Sequence, residues 1–299
     1  MTFTFKKAER TAVKAKVLLT GPSGSGKTLG GLHLARDLNV GKIAVLDSEN
    51  DRASYYADVV DFDVMSLPDA RPKTYLDGMK AAVEAGYGIL LIDSLSHAWQ
   101  DVLDRKDAYE KANPSKGNSY TNWRTFGAEW ELFIRKILEA PIHVIATGRS
   151  KQDYEQGVDG NGKKIVTKLG LAPMIREGTD YEFALHLDLN EQHNAVARKD
   201  NTFLFGDDKA IWDLTNGSVA GPLSKWLGSA KPAPPKPVTP KQRATFAKIL
   251  ESTVWTIEEK DAYSKAGTLL VFATEYQDML DDLIAEGTKR KATDPGASA

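Results

Sequence analysis

The stretch KVLLTGPSGSGKT, residues 16–28, decides the fold. Val17, Leu18 and Leu19 form an apolar run of strand length, the run breaks at Gly21-Pro22, and helical spacing of apolar residues begins just past Lys27. Gly21 to Thr28 is a full match to G-x-x-x-x-G-K-[ST]. The glycines let backbone N–H groups converge on phosphate oxygens, and a helix opening at Lys27 adds the positive end of its dipole. In that pattern Gly21, Pro22, Ser23, Gly24, Ser25, Gly26, Lys27 and Thr28 form the cradle. Lys27 reaches the β and γ phosphates and the Thr28 hydroxyl ligates Mg²⁺. A glycine-rich turn that binds nothing is the alternative, and the strand before, the helix after and the lysine in register all speak against it.

A cradle of this kind needs a second acidic group near the metal. GYGILLIDSLSHAW, residues 86–99, places Asp93 at the end of the apolar run Ile89 to Ile92, which reads as a buried parallel strand. There Asp93 would hold a magnesium-bound water. Ser94 follows it rather than a glutamate, so the group that orients or deprotonates an attacking water has to come from elsewhere. KIAVLDSENDRASYYA, residues 42–57, offers Asp47 and Glu49 at the end of another strand, on the carboxyl edge where open α/β sheets bind ligands. On spacing alone two readings stand level. Asp47 or Ser48 caps a helix from near Asp51 while Glu49 favours its first turn, or one of the two carboxylates carries out chemistry.

From residue 14 to about 213 short apolar runs alternate with amphipathic segments, the rhythm of a parallel sheet covered by helices. The expected strands are Lys16 to Thr20, Lys42 to Asp47, Phe62 to Ser66, Gly88 to Asp93, Ile142 to Thr147, Tyr181 to Leu189 and His193 to Arg198, with short pieces near 203 and 211. Helices are expected over 27–38, 71–85, 94–111 and 120–139. The late strands leave no room for helices between them, so the sheet should finish in antiparallel hairpins. Trp99, Trp123 and Trp130 fall on helical segments and read as core. Residues 149–168 form an insertion with a hairpin turn expected at Asp159-Gly160-Asn161-Gly162. GSAKPAPPKPVTP, 228–240, carries five of the thirteen prolines and reads as a semi-extended linker. The chain thus divides into a main α/β core over 1–227, a linker over 228–239, a small helical module over 240–287 and a frayed tail over 288–299. The module opens with Thr239 as N-cap and Pro240 at the first helical position, and its core should form around Phe246, Ile249, Leu250, Trp255 and Leu280.

Composition narrows the function classes. The formal net charge of −2 gives no global basic footprint, so contact with nucleic acid has to come from a local patch. No cysteine is present, which excludes disulfides, thiolate zinc sites and cysteine nucleophiles. The five histidines lack ligand spacing. No apolar run approaches the ~20 residues that span a bilayer, and MTFTFKKAER carries no signal-peptide apolar region. A soluble, cytoplasmic protein is expected.

A P-loop, then a strand ending Asp-x-Glu, then a strand ending Asp-Ser together resemble the core of the RecA family of recombinases. Within that resemblance PIHVIATGRSKQDYE, 141–155, and DYEFALHLDLNEQHNAVARKDNT, 180–202, look like phage-encoded RecA-like ATPases, in particular the Sak-type single-strand annealing proteins. The resemblance implies an α/β RecA-like core, ATP and Mg²⁺ as cofactors, and Glu49 as the general base, with Asp47 structural or an outer-shell partner of the metal. It implies a ring or filament of identical subunits acting on single-stranded DNA in the host cytoplasm, and a single-strand binding protein as partner of the C-terminal module. Where the recombinases place an Asn-Gln pair this chain has Thr147-Gly148-Arg149, so Arg149 would sense the γ-phosphate as a cation. Arg198 and Lys199 fall where such ATPases reach a basic finger into a neighbouring site, although Asn201 replaces the arginine of the family's Lys-Asp-Arg-Thr pattern. Arg149, Lys151, Lys163, Lys164 and Lys168 make the insertion locally basic, which suits either phosphate contacts or a solvated hairpin. Two other classes compete: a nucleotide-gated helicase-loading ATPase, and a small-molecule P-loop kinase, which would leave the Asp-x-Glu strand and the proline linker unexplained.

Overall fold

The computed structural model of the chain describes residues 13–114, 119–158, 164–206, 211–230, 240–251, 255–269 and 273–293. Contacts divide the chain into two compact units, Ala12–Ala230 and one that holds the C-terminal helices.

The first unit is built on strands β1 (Lys16–Gly21), β2 (Ile43–Asp47), β3 (Asp63–Ser66), β4 (Ile89–Asp93), β5 (His143–Val158), β6 (Lys164–Pro173), β7 (Leu185–Leu189) and β8 (Ala195–Asp200). Its helices are α1 (Lys27–Leu38), α2 (Pro72–Glu84), α3 (Leu95–Ala112), α4 (Ser119–Glu139) and α5 (Ala220–Gly228). The strand order is β3-β2-β4-β5-β1-β7-β8, with β6 paired to β5 off this path. β1 to β5 pair in parallel, and β7 with β8 antiparallel. This is the expected α/β architecture, a mainly parallel sheet with antiparallel strands at its C-terminal end.

Both faces of the sheet are covered, which is why its central strands read as continuous apolar runs. Successive side chains of a strand point to opposite faces. Accordingly Val17 and Leu19 join Leu32, Leu91 and Ile145 beneath α1 and α5, while Leu18 joins Tyr75, Leu90, Ile92, Trp130 and Phe133 beneath α2, α3 and α4. Of the three tryptophans expected in the core, Trp130 is fully buried, its Nε1 donating to Thr179 Oγ1 at 2.9 Å. Trp99 and Trp123 are half-buried and stack at 5.9 Å, with the Lys106 ammonium 4.9 Å from the Trp123 ring.

Four expectations need correction. The strand expected from Tyr181 starts at Leu185; a 3₁₀ turn over Thr179–Glu182 precedes it, entered through Gly178 at φ 85°. The helix expected near Asp51 is a 3₁₀ turn over Arg52–Tyr56, preceded by Asn50 and Asp51 at positive φ. The piece near 203 is a turn with Phe203 at φ 61°, and the one near 211 is a single bridge between Trp212 and Ala195. Finally, β5 does not end at Thr147: it runs on to Val158, exchanging its parallel partners for an antiparallel one, with Ser150 to Val158 paired to Lys164 to Pro173. Apolar patterning ends where the strand leaves the covered sheet, so it could not report this continuation. The turn at 159–162 lies outside the described residues.

In the C-terminal unit α6 (Pro240–Leu250), α7 (Ile257–Leu269) and α8 (Ala273–Thr293) enclose Phe246, Trp255, Leu280 and Leu283. Helix α8 continues past Gly287 to Thr293. Arg290 bonds both oxygens of Glu259 at 2.8 and 3.0 Å and Glu286 at 3.0 Å, and lies 4.8 Å from the Trp255 ring, which ties the last turns of α8 to the unit. Residues 231–239 and 294–299 lie outside the described residues.

Candidate nucleotide site

β1 ends at Gly21, where backbone approach is too close for any other residue. A Cβ there would sit 2.4 Å from Leu189 O and 2.6 Å from Ser25 Oγ. The loop closes through Gly26 at φ 85°, a left-handed conformation that glycine adopts without steric cost, and α1 starts at the next residue. Lys27, the first residue of α1, is buried and donates to Gly21 O at 3.0 Å and Pro22 O at 2.7 Å. Burial lowers its pKa, and the carboxylates of Asp93 and Glu49 oppose that shift.

β4 delivers Asp93 to the same place, two strands away from β1 with β5 between them. Asp93 is buried, and accepts from Thr28 Oγ1 at 2.7 Å on one oxygen and from the Thr147 hydroxyl on the other. Burial raises its pKa; the two hydroxyl donors pull it back, and Glu49 and Asp47 push it up further.

The two carboxylates at the end of β2 have separate fates. Asp47 points inward and is fully buried, its carboxylate accepting the backbone N–H of Glu49 and, at 2.9 Å, that of Ala53. It shapes the turn that follows the strand. Glu49 points into the cavity, where Oε1 takes Arg149 Nε at 3.0 Å and Nη2 at 2.8 Å, while Oε2 lies 3.6 Å from Arg52 Nη1. Arg149 stands on β5 opposite Gly21, at the last position of the β1–β5 pairing.

Lys27, Thr28, Glu49, Asp93 and Arg149 line one cavity of about 490 Å³ together with Ser23, Gly24 and Gly26, a volume usual for a small-molecule site. The rest of its lining comes from residues the sequence reading did not single out as site residues: Arg52, Tyr55 and Tyr56, then Gln192, His193 and Asn194, then Asp213, Leu214 and Thr215. Among the described residues no group of three carboxylate, imidazole or thiol side chains is spaced to hold a metal ion. The donors present still fit Mg²⁺, which keeps several waters and takes one or two protein oxygens plus phosphates. Thr28 and Asp93 supply such oxygens beside the cradle.

The other candidates lie apart from this cavity. Arg198 is exposed and pairs with Asp188 at 3.3 Å, and Lys199 donates to Tyr181 O. Lys151 is exposed at the start of the hairpin. Lys164 and Lys168 belong to β6, but Lys163 and the side chains of Lys164 and Lys168 lie outside the described residues. Sequence reading missed a polar chain beside the cradle: Thr20 Oγ1 donates to Asp188 Oδ1 at 2.8 Å and meets His186 Nε2 at 2.8 Å. Its partners are far apart in sequence, and no local pattern announces them.

A family model, that of the AAA domain (AAA_24), matches residues 13–207, more than half of the chain. The chain belongs to the AAA domain family. Its cradle, its Thr28–Asp93 pair and its sheet are those of a P-loop ATPase domain. No curated protein matches this AAA domain chain. Solved structures similar to it include the crystal structure of the RadB recombinase, at 16% identity and a TM-score of 0.35 over 64% of this chain and 83% of that one, and a prototypical ATPase from the type III secretion system of pathogenic bacteria, at 14% and 0.35 over 91% and 80%. No helix among the described residues is long and apolar enough to cross a membrane.

Proposed function

We propose that the chain is a RecA-like ATPase that binds ATP with Mg²⁺ on residues 21–28, hydrolyses it with Glu49 as general base, and acts as a homo-oligomer on single-stranded DNA in recombination or strand annealing. One observation carries the catalytic part: Lys27, the Thr28–Asp93 pair and the Glu49–Arg149 pair reach a single cavity from four separate segments of the chain. Bound Mg²⁺ would neutralise charge on the β and γ phosphates. Lys27 holds the same phosphates as a point charge, while Thr28 and Asp93 keep the ion and its waters in place. Glu49 Oε1 takes both Arg149 hydrogen bonds, whereas Oε2 lies 3.6 Å from Arg52 Nη1, outside hydrogen-bond range. Oε2 is therefore the oxygen that accepts a proton from the attacking water. Arg149 orients the glutamate and lies at the cavity as a cation for the γ-phosphate.

The DNA part is supported by the resemblance of 141–155 and 180–202 to RecA-like annealing proteins and by the basic residues of the β5–β6 hairpin, of which Lys151 is exposed. A C-terminal module offered to a single-strand binding protein belongs to the same reading. The test is phosphate release with and without single-stranded DNA, run beside Lys27→Ala, together with the mass of the assembled species. DNA-stimulated turnover that vanishes in the variant is expected. ATPase activity indifferent to DNA would keep the site and overturn the substrate.

A further inference from the structure

Between the two carboxylates of β2 lies Ser48, and its environment assigns a role to a residue that neither the phosphate cradle nor the metal pair uses. The Ser48 backbone N–H donates to Asp93 O at 2.8 Å, tying the end of β2 to the end of β4. Its hydroxyl repeats the tie, lying 3.0 Å from the same carbonyl and accepting the Ser94 N–H at 3.0 Å. From α3 His97 brings Nδ1 to 2.9 Å from both Ser48 Oγ and Ser48 O. From α2 the buried Tyr75 hydroxyl donates to Ser94 O at 3.1 Å, on the far side of the same junction.

One proton assignment satisfies these contacts together. The Ser48 carbonyl can only accept, so His97 Nδ1 carries a proton and donates to it. The Ser48 hydroxyl, which accepts from Ser94 N and cannot donate to a protonated Nδ1, then gives its single proton to Asp93 O. The Ser48 carbonyl belongs to the peptide that leads into Glu49, and the N–H of that same peptide donates to Asp47 Oδ1. The peptide carrying the glutamate is thus gripped at both ends, by an imidazole and by a buried carboxylate.

We propose that His97, acting through Ser48, is a positioning residue for the Glu49 base: its Nδ1–H fixes the Ser48–Glu49 peptide, and the Ser48 hydroxyl sets the spacing between Glu49 and the metal-holding Asp93. The proposal rests on the reading of Glu49 as base. It requires no proton transfer through the imidazole and no contact with nucleotide. A loosened peptide displaces the carboxylate without emptying the cradle, so chemistry suffers while binding does not. Misplacement of a catalytic group by about 1 Å costs up to ~10²-fold in rate.

Asparagine and glutamine separate this role from others, because the amide nitrogen of Asn occupies the place of Nδ1 and that of Gln the place of Nε2. The full chain is assayed for turnover, for binding of a fluorescent ATP analogue and for thermal midpoint. Expected are a loss of about tenfold or more in kcat for His97→Ala and His97→Gln, with analogue binding and KM unchanged, recovery of most of that loss in His97→Asn, and a kcat loss of the same kind in Ser48→Ala. An Asn variant as slow as Ala, a Gln variant that recovers activity, or parallel losses of binding and kcat would overturn the proposal. Should the wild-type chain show no Lys27-dependent turnover, the ATPase reading itself fails and takes this proposal with it. A slow His97→Ala beside a fully active Glu49→Gln would instead retain the ATPase and remove Glu49 as the group being positioned.

Discussion

Strands β1 and β5 run side by side, and each of their ends carries a buried lysine bonded to two backbone carbonyls. At the carboxyl end Lys27 donates to Gly21 O and Pro22 O; at the amino end Lys16 donates to Ala140 O and Ile142 O, at 2.8 Å each. The local chemistry is the same and the setting differs. Around Lys27 lie a cavity, two carboxylates and a glycine loop with room for phosphates. Lys16 itself is buried, and beside it the buried His143 accepts the Ala15 N–H on Nδ1 at 3.1 Å. A buried cation with shifted titration is therefore no sign of a site by itself; an opening with further unlike groups in it is what separates the two ends.

The largest effects belong to the open end. Lys27→Ala should abolish turnover because the β and γ phosphates lose their point charge. Glu49→Gln should leave nucleotide binding intact and slow hydrolysis by ~10²-fold or more. Asp47→Asn should act differently, lowering the thermal midpoint because a charged acceptor of two backbone N–H groups becomes a neutral one. Turnover and binding isotherms of the three variants check this, and an Asp47→Asn variant that is stable yet inactive would reverse the roles of the pair.

The closed end should respond in stability alone. Lys16→Met removes the donor from two buried carbonyls, and an unsatisfied buried group costs about 1–3 kcal/mol. Denaturant titration should show a loss of that order with turnover retained. The same end predicts a pH profile. Burial, with Lys14 and Lys16 nearby, lowers His143 to about 4, and burial, with Lys14, lowers Lys16 to about 8. The unfolded chain binds the His143 proton up to its ordinary value of 6.5, so between 4 and 6.5 it holds more protons than the folded chain and stability rises with pH. The His143 contribution is complete above 6.5 and lost as pH falls through 4. By the same sign the buried charge of Lys16, as distinct from its two hydrogen bonds, opposes folding most below pH 8 and progressively less as pH rises from 8 to 10.5. Thermal midpoints should climb across both windows; His143→Asn should flatten the acid limb and Lys16→Met the alkaline one.

The open end was largely legible and the closed end was not, for a physical reason. Gly21 to Thr28 is a local motif whose residues act through the backbone of their own loop, and Asp93 and Glu49 each follow a strand whose apolar run marks it. Lys16 and His143 meet residues more than a hundred positions away, with no pattern to signal it. The same holds for Arg149. Its place was readable at the end of an apolar strand, yet the continuation of β5 to Val158 was not, since beyond the sheet the strand loses the face that gave it a signature. The closing of α8 by Arg290 is likewise a contact across 31 positions.

Arg198 gives the smallest expected effect and a sharp check on where the open end stops. It pairs with Asp188 at 3.3 Å, and 60% of its side chain is exposed. Exposed pairs are worth about 0–1 kcal/mol. The Asp188 side chain is only 11% exposed, but it is also tied to β1 on its other oxygen, through Thr20 Oγ1, so losing the arginine leaves that carboxylate hydrogen-bonded. Arg198→Ala should therefore shift unfolding free energy by less than ~1 kcal/mol. A loss well beyond that would mean that the Thr20–Asp188–Arg198 chain is a closed lock like the one at Lys16. If instead the variant is stable but slow, and turnover returns when it is mixed with Lys27→Ala chains, the arginine completes a neighbouring subunit's site. In such a mixture one partner is slow and the other inactive alone, so recovered activity can come only from interfaces that join an intact cradle to an intact arginine.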